Sequence, residues 1–214
     1  MRRFILFIVS LLFVSGNLIA QNYVAVKDAE KQGVIDMINV AASGIRSMSC
    51  TFVQTKELSL LDDKIVSHGR MYFTTGNKLR WEYLKPYHYT FILNGDTVLL
   101  KSDGKQDKID ISTNRIFSQI ASIMMSSITG KCVQEGKDFK VAAFTSDEGY
   151  KIVLTPLKKE IKQVFCSINL FYDVKDSVVK RVELVENTGD STTIELENIV
   201  KNGTVDEAVF DIGN

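Results

Sequence analysis

One stretch fixes most of what this chain can become: His68 to Asp96, HGRMYFTTGNKLRWEYLKPYHYTFILNGD. It breaks into three extended segments. Met71–Thr75 stops at Gly76-Asn77, Lys78–Leu84 stops at Pro86, and Tyr87–Leu93 stops at Asn94-Gly95, a strong hairpin signal. Successive side chains of a strand point to opposite sides of a sheet. Leu79, Trp81 and Tyr83 therefore share one face, and Arg80 and Glu82 the other. The stretch predicts an antiparallel meander with one strongly apolar, aromatic face.

Two segments have the period of a helix. From Lys27 to Met48, Val34, Met37, Ile38, Ala41 and Ile45 fall on one stripe. From Asn114 to Ile128, Ile116, Ile120, Ile123, Met124 and Ile128 form an uncharged stripe widened by Phe117 and Met125. Asn114 is suited to cap this helix and Gly130 to stop it. Such a helix is either a core element or a movable lid, because methionine adapts to irregular apolar surfaces.

Elsewhere the period is that of strands. Met48, Cys50 and Phe52 share a face in the first of them, and Thr97–Lys101 and Gln106–Ile111 follow the meander. After Lys137 the candidates are Phe139–Thr145, Tyr150–Thr155, Val164–Tyr172, Val178–Glu186 and Thr192–Ile199, with Val209-Phe210 as a closing piece. Alternation puts Val164, Cys166, Ile168, Leu170 and Tyr172 opposite Phe165 and Phe171. It puts Val178, Val182 and Leu184 opposite Val179, Arg181 and Glu183. A sheet of ten or eleven antiparallel strands twists and curls. The predicted class is mainly β (α+β): an incomplete, strongly curled antiparallel barrel covered by two or more α-helices.

Met1–Ala20 has Arg2 and Arg3, an apolar run from Phe4 to Val14 and a small residue at its end, the pattern of a secretory signal peptide. Residues 21–214 then form one exported, soluble domain with no linker inside it. Without the leader, acids exceed bases by two, which gives no electrostatic footprint for nucleic acid. Cys50, Cys132 and Cys166 lie in mostly apolar contexts, which points to buried thiols, with one disulfide as the alternative. His68 and His88 have no metal-ligand spacing around them, and neither metal nor cofactor is expected. No nucleophile motif or phosphate loop is present, so the chain is expected not to be an enzyme.

The strings Gly69-x-Met71-x-Phe73 and Lys78-Leu79-Arg80-Trp81-Glu82-Tyr83-x-x-Pro86 resemble the LolA family of periplasmic outer-membrane lipoprotein carriers. The Gly189 turn, Thr193-x-x-Leu196 and Asp206-x-x-x-Phe210 extend the likeness to roughly Val34–Ile212. The resemblance implies the same curled barrel, with helices as a lid over an apolar cavity. It implies a monomer that takes the acyl chains of lipoproteins from an inner-membrane ABC-type exporter to an outer-membrane acceptor. Leu79, Trp81, Tyr83, Phe91, Leu93, Ile120 and Met124 are the residues expected to line that space. One feature departs from the family. Where several members carry a latch arginine beside a proline, this chain has Thr75 and Gly76. A carrier of another envelope amphiphile, such as a glycolipid or pigment lipid, is the nearest alternative, and a non-enzymatic envelope interaction module is the next.

Overall fold

The structure is a computed structural model that describes residues 22–60, 63–113, 125, 136, 138–175 and 177–213. The expected leader (1–20) and most of the expected helix Asn114–Ile128, with Ile120 and Met124, lie outside the described residues, as does Cys132. Twelve strands form one antiparallel sheet: β1 (Val24–Ala25), β2 (Ser47–Leu58), β3 (Asp63–Thr74), β4 (Lys78–Lys85), β5 (Tyr89–Asn94), β6 (Thr97–Ser102), β7 (Lys105–Asp110), β8 (Phe139–Ser146), β9 (Gly149–Pro156), β10 (Phe165–Asp173), β11 (Val179–Glu186) and β12 (Ser191–Lys201). Their order is β1-β8-β9-β10-β11-β12-β2-β3-β4-β5-β6-β7. Pairing of β12 with β2 splices the C-terminal strands onto the start of the meander, while β1 and β7 are the two edges of the sheet among the described residues. This is the open, curled sheet that the sequence predicts. The strand beyond the expected ten or eleven is β1, whose two residues are too few to show a period.

Tight turns set the meander's register. Gly76 and Asn77, and then Asp103 and Gly104, all have positive φ, the backbone that short hairpins of this twist require. The outer edge β7 is mostly charged, with Lys105, Asp107, Lys108 and Asp110, which discourages further strand pairing.

One face of the sheet is apolar over most of its width. The row Ala143–Ile152–Leu170–Val182–Ile194 crosses five strands in register and continues into Gln54 and Ser67. Helix α1 (Asp28–Ser43) lays Ile35 and Ile38 on the β8–β11 part of this inner face, and α2 (Lys159–Lys162) adds Ile161. On the outer face, the C-terminal segment ends in a 3-10 turn, Glu207–Phe210. Its Phe210 is fully buried against Ile92 and Leu99. The β4–β6 region is thus covered on both sides, which explains why Phe91-Ile92-Leu93 is a continuous apolar run.

Four expectations need correction. The buried stripe of α1 is Ile35, Ile38 and Ala42, while Met37 is exposed. The helix ends at Ser43, so Ile45 belongs to the turn into β2, where it is buried in the aromatic cluster. A bulge between Phe165 and Ser167 turns Cys166 outward. Phe165 then packs towards the inner cluster, and the Cys166 thiol donates to Asn187 Oδ1 at 2.9 Å. A second irregularity, opposite Phe171 and Tyr172, places Val179 with Val182 and Leu184 rather than against them. Val209-Phe210 is part of the 3-10 turn and not a strand.

Candidate functional site

The aromatic region of the inner face is built in three rungs. Cys50, Met71, Trp81, Phe91 and Leu100 lie side by side on β2 to β6. Met48, Phe73, Leu79, Leu93 and Val98 make the next rung, which ends on Ile109 of β7. The third rung runs Leu196, Phe52, Gly69, Tyr83, Tyr89. Leu79, Trp81, Phe91 and Leu93 are buried in a single cluster, with Tyr83 packed against it. The five described residues among the seven expected ones therefore sit on one surface.

Gly69 is what lets the third rung form. The Phe52 ring occupies the space above it, so an added Cβ would fall 2.2 Å from that ring and 2.2 Å from the Glu82 carbonyl oxygen. From there Phe52 stacks on Trp81 with centroids 4.2 Å apart and 24° between planes. It also meets Tyr83 edge-on at 5.3 Å. Tyr83 lies 6.2 Å from Tyr89, which carries the aromatic series to the end of the sheet.

Polar atoms on this surface are few. The Tyr83 hydroxyl donates to Gln54 Oε1 at 2.9 Å. Burial holds the Tyr83 phenol above its ordinary value, against opposing contributions from the Trp81 N–H and from Gln54. Among the described residues the Trp81 Nε1–H has no hydrogen-bond partner; it lies beside the Tyr83 hydroxyl without hydrogen-bond geometry. Burial pushes the Cys50 thiol up to about 12, so it is a small apolar group here and not a nucleophile. Among the described residues no group of three or more His, Cys, Asp or Glu could hold a metal ion.

Met125, helical and partly buried, packs against the aromatic cluster. It was expected only to widen the helical stripe. Phe52, Gly69 and Gln54 were not expected at the site, since their roles depend on which strands pair. The signal for Phe52 was its alternation with Met48 and Cys50.

Behind this surface, Arg80 and Glu82 point outward as alternation requires. Glu82 meets Arg80 Nη2 at 2.8 Å and Arg70 Nε at 2.6 Å. Burial of the Glu82 carboxyl works against its ionisation, but the two guanidinium groups prevail and hold it below the usual carboxylate value. Arg80 Nη1 also donates to the Val209 carbonyl at 3.2 Å, and Lys78 pairs with Glu207, which pins the C-terminal segment to the sheet. A groove of about 610 Å³ opens elsewhere, lined by Tyr23, Phe171, Asp173, Lys180, Arg181 and Glu195 among others. It mixes both signs of charge and includes none of the expected residues.

A search of curated proteins gave no match. Solved structures do match. An uncharacterized conserved protein from Thermus thermophilus aligns with a TM-score of 0.52 at 11% identity, over 86% of this chain and 94% of its own. A LolA superfamily protein from Nitrosomonas europaea (TM-score 0.43, 7% identity, 84% and 96% coverage) and the Mycobacterium tuberculosis lipoprotein LppX (0.47, 13%, 84% and 100%) are more distant. At such identities a likeness speaks for the fold alone. The family model described as outer membrane lipoprotein carrier protein LolA matches residues 43–213, from just before β2 to the end of the C-terminal segment. The chain belongs to the LolA family.

Proposed function

We propose that this protein is a periplasmic carrier that holds the acyl chains of lipoproteins against its aromatic surface and ferries them from the inner to the outer membrane. The observation that carries the reading is the in-register wall of Phe52, Trp81, Tyr83, Phe91 and Leu93 in a chain of this family. Each buried CH₂ of a cargo chain contributes about 0.8 kcal/mol, so a few chains bind well without polar chemistry. Ile120 and Met124 complete the wall in this proposal, on a helix that acts as its lid. The leader Met1–Ala20 directs export. The protein works as a monomer between an ABC-type exporter and an outer-membrane acceptor, and it performs no catalysis.

A second reading keeps the carrier and changes the cargo to another envelope amphiphile. It is favoured by the exposed turn at Thr75 and Gly76, where the resemblance places a latch arginine in several members of the family. Mass spectrometry of an organic extract of the purified mature protein separates these readings. Acylated peptides are expected. A glycolipid or pigment lipid would select the second reading, and a clean extract together with failure to bind lipopeptide would remove both.

A further inference from the structure

At one end of the sheet, beside the aromatic series, two turns stand together. The β4–β5 turn presents Tyr87, 71% exposed, with Leu84 and Pro86 exposed beside it. The β6–β7 turn brings Lys101 and Lys105 against His88, around a hollow of about 260 Å³. Lys85, Lys101 and Lys105 are all exposed and make no ion pair among the described residues. The carboxylate lining this hollow is Asp103. The opposite end mixes both signs: its turns and the C-terminal segment expose Asp96, Asp147, Glu148, Asp206 and Asp211 together with Arg46, Lys175 and Lys201.

We propose that this corner docks on the surface of an anionic phospholipid bilayer, with Tyr87 and Leu84 at the headgroup level and Lys85, Lys101 and Lys105 facing lipid phosphates. The inference rests on the carrier reading, because cargo with acyl chains starts and ends in a membrane. An exposed tyrosine flanked by lysines is suited to a membrane–water boundary, where its ring is half-solvated and the ammonium groups meet negative headgroups. The hollow between the turns has the size and charge for a phosphate headgroup. Three exposed apolar side chains (Leu84, Pro86 and Tyr87) are too little for a stable protein interface, which buries roughly 1,200–2,000 Å². Tyr89, at the start of β5, and Tyr83 then lead from the docked corner into the aromatic wall.

The test is sedimentation of the full mature protein with phosphatidylcholine vesicles, with and without phosphatidylglycerol. Binding is expected only to the anionic vesicles and weakens as salt is raised. Lys101→Gln with Lys105→Gln lowers it by about fivefold per lysine, and Tyr87→Ser lowers it several-fold. The control pair Lys175→Gln with Lys201→Gln, at the other end, leaves it unchanged. Failure of the wild type to bind anionic vesicles overturns the proposal and leaves the corner to a protein partner; equal loss in the control pair overturns it too. Lipopeptide binding, read by Trp81 fluorescence, stays intact in every variant. If the wild type binds vesicles but no lipopeptide, the carrier reading fails and the docking surface stands.

Discussion

The two halves of the inner face are built from different side chains and covered in different ways. On β8–β11 the wall is largely aliphatic, with Val141, Ile152, Leu154, Ile168 and Leu170, and α1 lies directly on it through Ile35 and Ile38. On β2–β6 the wall is aromatic, and the described residue of a helix that touches it is Met125. Branched aliphatic side chains interlock with a helix and tolerate little displacement. Flat rings present broad surfaces that a methionine-bearing cover, or an acyl chain, can meet in several positions. The first half is packed as a core; the second is the wall that the carrier proposal assigns to cargo.

The largest expected effect breaks the comparison if it fails. Ile152→Ala or Leu170→Ala, both fully buried in the aliphatic half, should cost about 2–5 kcal/mol in a urea titration. Lipopeptide affinity per folded molecule should not change. A fall in affinity comparable to that of aromatic substitutions would make the two halves one binding wall.

Next in size is Gly69→Ala. Forcing a Cβ into the Phe52 ring and the Glu82 carbonyl should cost about 1–3 kcal/mol, and it should alter Trp81 emission before any ligand is added. Unchanged emission would mean that the Phe52–Trp81 stack does not depend on the bare glycine.

A third experiment sharpens the contrast between faces of a single strand. Trp81→Ala should weaken lipopeptide binding about tenfold, close to 1.4 kcal/mol and slightly under the full worth of burying a large apolar side chain. Glu82→Ala, on the outer side, should leave it within about twofold, since about 0.4 kcal/mol is all that a factor of two represents. Equal losses would place both residues outside the binding wall.

The smallest effect concerns pH. The folded Glu82 carboxyl lies below its ordinary value, so the stability it contributes is fully present above the unfolded value near 4.3 and is lost as pH falls through the folded one. Because Arg70 is half-exposed, the contribution is at most about 1 kcal/mol. Glu82→Gln should therefore flatten the loss of urea stability between neutral and acidic pH. A wild-type and variant profile of the same slope would assign acid lability elsewhere.

The sequence disclosed the fold class and the meander because both rest on local signals: period two, turn residues and a tryptophan flanked by charge. It misplaced Cys166 and Val179 because a bulge inserts one residue, and alternation carried past it reverses every face. Gly69 shows a different limit. Its local environment reads as an ordinary weak spot in a strand, and only the pairing of β2 with β3 brings Phe52 over it. Likewise Gln54, polar in a mixed strand, becomes meaningful when β4 sets the Tyr83 hydroxyl beside it. The order β12-β2 joins residues far apart in the chain, and no periodicity announces such a splice.

The unjoined edges β1 and β7 have a mechanical consequence. In a closed barrel the girth is set by strand number and stagger, and it cannot change without breaking a ladder. A sheet with a seam has no such fixed girth. It can flex about its twist, widening or narrowing like a split ring while every paired backbone group keeps its partner. Under the proposed carrier function, a cargo with more or bulkier chains would be met by a small change of curvature spread over the sheet's strands.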